Sequence, residues 1–234
     1  MSGHPFRPGE WYTLGELRRV AAEIHRARRA DPALSAMMRE QSDKWAKDWN
    51  EELYPLKVFA DHKALSDDDE FCWTPDVAAD FTIRSRGKTI KIQSTMAYVE
   101  WGDSIAKQGG HLHKLEMRQS NKVGHSFPGG LVNEPKARSP DADVDAWRRG
   151  IAKAVKGKLK ARYAGIHLLI FARRCRFNTI DFPFEQVVAP AIEEAGTAEC
   201  ERIFAGLYVF DDQPPAIFEL RRPCWATRIV GVFC

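Results

Sequence analysis

Asp80-Phe81-Thr82-Ile83 and Thr89-Ile90-Lys91-Ile92-Gln93 alternate polar with apolar side chains, and Ser85-Arg86-Gly87-Lys88 stands between them. That pattern predicts a β-hairpin with a glycine-containing turn. With a two-residue loop at Arg86-Gly87, or a four-residue loop over 85–88, Asp80 falls opposite Gln93. Because strand side chains alternate between faces, Asp80, Thr82, Arg84, Lys91, Gln93 and Thr95 then share one face. Phe81, Ile83, Ile90 and Ile92 take the other, toward a core. One face thus gathers a carboxylate, an amide oxygen and an ammonium group. Hard divalent cations take oxygen ligands of this kind, and a neighbouring lysine can orient water or offset charge on a phosphate. A three-residue loop would break the arrangement by flipping one strand. The plainer alternative is the polar face of a half-exposed hairpin.

A second feature is electrostatic. Between Ala146 and Ile180 stand ten basic residues (Arg148, Arg149, Lys153, Lys156, Lys158, Lys160, Arg162, Arg173, Arg174 and Arg176) and no Asp or Glu. Such a stretch suits phosphate neutralisation, with Arg148, Arg149, Lys153, Lys156 and Lys160 the expected nucleic-acid contacts, although basic helix faces are often merely solvated. The net charge of +3 carries no such message, so clustering alone supports it. His111, His113, His125 and Glu116 match no zinc-ligand spacing and read as a polar loop bracketed by Gly109-Gly110 and Gly129-Gly130. The five cysteines are widely spaced, with no Cys-x-x-Cys, which predicts reduced thiols rather than a disulfide framework or zinc ribbon. Phosphate-loop, dinucleotide and serine-hydrolase motifs are missing from the sequence, which lowers those enzyme classes.

At Asp80, Gly87 and Gln93 the sequence resembles the PD-(D/E)XK nuclease superfamily, with a motif like that of Mrr-type restriction endonucleases. The family pattern has an Asp opening one strand, a turn with Gly, and Gln/Glu-x-Lys on the next strand. The resemblance covers residues 74–97 by motif and 143–173 by order of elements. It implies a restriction endonuclease-like core and hydrolysis of nucleic-acid phosphodiesters, DNA before RNA, with Mg²⁺ or Mn²⁺. Asp80 would hold metal, Asp76 being a second candidate, and Gln93 would supply a neutral oxygen. The family lysine falls at Thr95, which carries no charge. Lys91 on the same strand face, or Lys153 or Lys156 on the following helix, would have to replace it. If none does, the chain is an inactive descendant that binds nucleic acid or a protein. Glu16 or Glu23 on the first helix would be a further acid, though solvent-facing positions suit both better.

The elements that must position these residues follow from periodicity. Thr13 and Glu16 form a capping box before Leu14, Leu17, Val20, Ala21 and Ile24. Asp31-Pro32 opens a second helix with Leu34, Met38, Gln41, Trp45 and Trp49 on one stripe, the tryptophans being core. A short strand over 56–60 and an acidic loop follow. Asp143 or Asp145 caps a long helix to about residue 164, with Val144, Trp147, Ile151, Val155 and Leu159 inward. Then come a strand over 166–172, a helix over 184–195, and strands over 203–210 and 216–220. This order predicts an α/β fold, a mixed central sheet flanked by helices. One domain over 1–222 is expected, with N-terminal helices over 1–54, a loop-rich insertion over 100–142 and an apolar tail over 223–234. With 234 residues and 44% hydrophobic composition, the chain is long and apolar enough to bury a core without metals or disulfides. It has no apolar run of bilayer-spanning length and no hydrophobic leader at residues 1–8. A cytoplasmic protein without a membrane partner is expected, with a homodimer left open.

Overall fold

The computed structural model describes residues 4–40, 43–74, 78–97, 140–172, 183–212 and 215–220. Seven strands form one sheet in the order β1 to β7. They are β1 (Trp11–Thr13), β2 (Glu70–Trp73), β3 (Phe81–Ser85), β4 (Lys88–Met96), β5 (His167–Phe171), β6 (Gly206–Asp212) and β7 (Pro215–Leu220). Strands β1 to β4 pair antiparallel, β4, β5 and β6 are parallel, and β7 returns antiparallel to β6. The structure is therefore mixed α/β, a mixed seven-stranded sheet between helices.

Each face of the sheet has its own core. On one side lie α1 (Leu14–Ala30), α2 (Pro32–Glu40), α3 (Lys44–Asp48), a π-helical turn (Trp49–Leu53) and α4 (Tyr54–His62). Leu14, Leu17, Ile24, Trp49 and Phe59 from these elements pack on Phe81, Ile83, Ile92, Leu169 and Tyr208 of the sheet. On the other side lie α5 (Pro140–Lys158), a 3₁₀ turn (Ala161–Tyr163), α6 (Phe184–Ala195) and α7 (Thr197–Ile203). Here Trp147, Ile151, Val155, Val187 and Ile192 meet Leu168, Ile170, Leu207 and Val209. Strand β5 is apolar throughout Leu168–Phe171 because helices cover both its faces. No helix among the described residues is long and apolar enough to cross a membrane.

The hairpin forms with Arg86 (φ 49°) and Gly87 (φ 73°) as a two-residue turn of positive φ, the geometry that matches strand twist. Phe81 pairs with Ile92 and Ser85 with Lys88, the register expected from alternation. The first helix has its full capping box: Thr13 accepts from the Glu16 N–H, and the Glu16 carboxylate accepts from the Thr13 N–H at 2.8 Å.

Four expectations are corrected. Residues 56–60 are helical, within α4: Leu53, Leu56, Phe59 and Ala60 are buried at helical spacing, and Pro55 sits at the helix start. The second helix does not run unbroken to Trp49, since Asp43 starts α3 afresh by accepting the Trp45 N–H. The long helix begins at Pro140 and ends at Lys158, so Asp145 lies within it, paired with Arg148. Strand β6 begins at Gly206, because Ile203 closes α7. Trp45 and Trp49 are buried as expected. Strands β1 and β2 and helix α7 were not foreseen; the first two are only three and four residues long.

Candidate functional site

Asp80 stands one residue before β3, its carbonyl accepting the Thr74 N–H at 2.7 Å. It is buried, with 6% of its surface exposed. A carboxylate so placed needs donors, since an unpaired buried charge is costly. Two come from β4. The Ser94 N–H donates to Asp80 Oδ2 at 2.8 Å, and Gln93 Nε2 donates to the same oxygen at 2.5 Å. Gln93, itself buried, also donates from Nε2 to the Ser94 carbonyl at 2.7 Å. Its Oε1 accepts from no donor among the described residues, leaving one amide oxygen uncommitted beside a carboxylate. The sequence-predicted pair Asp80 and Gln93 is thus brought into direct contact.

The π-helical turn holds this strand pair from the opposite face. Ser94 Oγ donates to the Glu51 carbonyl at 2.7 Å, and the Glu52 carboxylate accepts Trp73 Nε1–H at 2.6 Å. Glu51, through its carbonyl, and Glu52, through Trp73, thus tie to this strand pair an element that sequence reasoning missed, on the face opposite to the Asp80 and Gln93 side chains. The first-helix acids, for which solvent-facing positions were the better reading, lie elsewhere: Glu16 serves the capping box, and Glu23 pairs with Arg19 at 3.0 Å. The missed signal was the Trp45 and Trp49 stripe, which must bury against the sheet and so brings the following Glu pair with it. π-turns recur at functional positions in helices. Among the described residues, no three His, Cys, Asp or Glu side chains converge as metal ligands.

Lys91 is exposed, opposite Thr82 and two residues from Gln93 on the same strand face. It makes no ion pair among the described residues. Thr95, half-buried, is opposite Ile170. On α5, Arg149, Lys153 and Lys156 are exposed at helical spacings of four and three residues, forming one row, and Lys160 is exposed just beyond the helix end. Lys156 pairs with Glu194 of α6 at 3.2 Å, and Arg148, half-buried, pairs with Asp145 at 3.1 Å. Asp76, Arg173, Arg174, Arg176, His111, His113, Glu116 and His125 lie outside the described residues, as do the insertion and tail.

Neither of the two described cysteines, Cys72 and Cys200, is placed for catalysis. Burial, with the nearby Glu199 charge, pushes the Cys200 thiol up to about 11, and burial also raises Cys72. A thiol held protonated is a poor nucleophile. Both are free thiols, and Cys175, Cys224 and Cys234 lie outside the described residues.

Comparison of the chain with protein-family models, with curated proteins and with solved structures returned no match.

Proposed function

We propose that this chain is a restriction endonuclease-like nuclease that hydrolyses phosphodiesters of nucleic acid, DNA before RNA, with Mg²⁺ or Mn²⁺. The observation that carries the reading is the contact of Asp80 with Gln93 across adjacent antiparallel strands, at the spacing of the family motif. The order of elements supports it: a three-stranded meander β2–β3–β4, then α5, then β5 parallel to β4.

The donor set suits a hard cation that completes its shell with water and substrate, since Mg²⁺ commonly takes only one or two carboxylates from the protein. Asp80 would hold the ion and Gln93 would turn its amide oxygen toward it, with Asp76 a further candidate ligand. The bound ion would polarise the phosphoryl oxygen and lower the pKa of an attacking water. Lys91 projects a positive charge on the strand face that carries Gln93, where it offsets charge on the scissile phosphate. Ser94, tied to the Glu51 carbonyl, fixes the backbone that donates to Asp80 and so holds the carboxylate in place. The row on α5 grips the phosphate backbone, which makes affinity salt-dependent.

A second reading is favoured by Thr95, which stands where the family lysine would be, and by the amide donation from Gln93 into Asp80. In that reading the chain binds nucleic acid without cutting it.

Cleavage of supercoiled plasmid, single-stranded DNA and RNA with Mg²⁺, Mn²⁺ or EDTA tests both. Metal-dependent cutting that falls to background in Asp80→Ala is expected for the nuclease. An Asp80→Ala protein that cuts as fast as wild type with the same metal would sink that assignment. Salt-dependent binding without cutting selects the second reading.

A further inference from the structure

Where α5 ends, the chain brings two cations to one neutral oxygen. Lys158 lies in the last turn, Lys160 is extended at φ −136° and ψ 146°, and the 3₁₀ turn folds Tyr163 back toward the helix end. Arg162 NH2 donates to Tyr163 Oη at 2.7 Å, and Lys158 Nζ donates to the same oxygen at 3.5 Å. The two cations also lie 4.7 and 5.1 Å from the Tyr163 ring centroid. Tyr163 itself is buried, so its ring is a fixed platform rather than a mobile partner.

Among the described residues some cations of this fold meet acids and others, such as Arg26, Arg28 and Lys88, do not. Arg18 binds Asp61 and Asp67, Lys63 binds Glu219, Arg202 binds Glu199 and Lys156 binds Glu194. Among the described residues, Lys158, Lys160 and Arg162 have no carboxylate within ion-pair distance. The carbonyl end of α5 contributes about half a negative charge, far short of three cations. A guanidinium fork beside an ammonium group is the donor set for a phosphate, the first binding two oxygens and the second acting as a point charge.

The cluster does not stand alone. The β4–β5 register pairs Ile92 with His167, so Lys91 is level with Ile166, whose N–H bonds to the Tyr163 carbonyl at 3.2 Å. Lys91 therefore lies between the Asp80–Gln93 pair and the cation cluster, on the sheet face that carries α5. A line of positive charge longer than one ion suits a polyanion chain.

We propose that Lys158 and Arg162, braced on Tyr163 and flanked by Lys160, form a phosphate-binding site that takes a phosphodiester of nucleic acid. The proposal rests on the nucleic-acid reading and adds to it a specific backbone contact beyond the α5 row. A free polyphosphate offers the same chemistry, so the test includes it.

The experiment uses the full chain and a labelled 20-mer duplex, titrated by anisotropy over a range of NaCl, with tripolyphosphate titrated separately by calorimetry. The variants are the Lys158→Gln/Arg162→Gln double mutant and the charge-keeping double mutant Lys158→Arg/Arg162→Lys. Thermal midpoints by circular dichroism establish that each is folded. Removing two phosphate contacts is expected to lower the slope of log affinity against log salt by about 2, with the charge-keeping variant close to wild type. Arg29→Gln, on α1 across the sheet, is expected to leave the slope unchanged. A folded Gln double mutant with the wild-type slope and affinity overturns this site, while steep salt dependence in both proteins keeps the nucleic-acid reading. Tripolyphosphate binding lost in the Gln double mutant, without DNA binding by wild type, keeps the phosphate site and overturns the nucleic-acid reading. Binding of neither ligand overturns both.

Discussion

Asp80 and Gln93 satisfy one another so closely that any change of charge in the pair should be felt by the whole fold. Gln93→Glu sets a second carboxylate where an amide now donates at 2.5 Å to Asp80. Two buried carboxylates at that range cannot both stay ionised without a shared proton or a cation. We expect the variant to lose roughly 1–3 kcal/mol of stability in EDTA, and to regain more of it than wild type on adding Mg²⁺ or Mn²⁺. Thermal melts in the two conditions check this; a midpoint indifferent to divalent ions would remove the pair as a metal site. Thr95→Lys tests the neighbouring position. It is half-buried on the same strand face as Lys91 and Gln93, so an ammonium group there would lie beside the pair. Cleavage faster than wild type is the expected result, and an unchanged rate would mean that the active lysine, or its absence, is not decided at that position. The facing of Asp80 and Gln93 was legible from alternation once the loop was taken as two or four residues, and the two-residue turn decided it. Glu51 and Glu52 were not legible, because nothing local says that a π-turn will be laid on β4.

Among the elements, α1 and the β3–β4 hairpin were readable because their signals are local. The capping box satisfies backbone donors within four residues, and the Arg86-Gly87 turn fixes register by its own twist. Thr13→Ala should therefore cost about 1 kcal/mol, read as a shift in the denaturant midpoint at constant slope. A change in the slope itself would mean that more than the cap had been lost. Helix α4 was misread as a strand because Leu56–Ala60 is a short apolar run, which periodicity alone cannot assign. Its fate was decided by Leu53, Leu56 and Phe59 burying together against the sheet.

At the scale of the molecule, the sheet joins distant polar groups that no local pattern links. Glu219 of β7 is almost fully buried and is held by Lys63 at 2.5 Å and His62 at 3.3 Å, both from the end of α4. Tyr208 and His167 crowd the same region: a Cβ on Gly206 would lie 2.8 Å from Tyr208 Oη and 3.0 Å from His167 Nδ1. Burial, reinforced by the Lys63 charge and opposed by Glu219, lowers His167 from 6.5 to about 4. Between those values the unfolded chain binds more protons at this histidine than the folded one, so stability rises with pH across the window. It is complete above about 6.5 and falls on acidification toward 4, by an amount of order a few kcal/mol. Denaturant titrations of wild type and His167→Gln over pH 4 to 7 check this. The variant is expected to show the shallower dependence, and coincident curves would exclude His167 as the cause.

The sequence by itself determined what neighbours in the chain can settle: the cap of α1, the hairpin, its register and the facing of Asp80 and Gln93 for a loop of two or four residues, and the apolar faces of the long helices. Each rests on backbone geometry over a few residues and on side-chain periodicity. Only the tertiary structure decided the order of seven strands, the placing of β1 and β2 beside the hairpin, the approach of Glu51 and Glu52, and the meeting of Lys158 with Arg162 on Tyr163. Those depend on which apolar faces find each other across long separations, a cooperative choice that alternation and capping cannot encode.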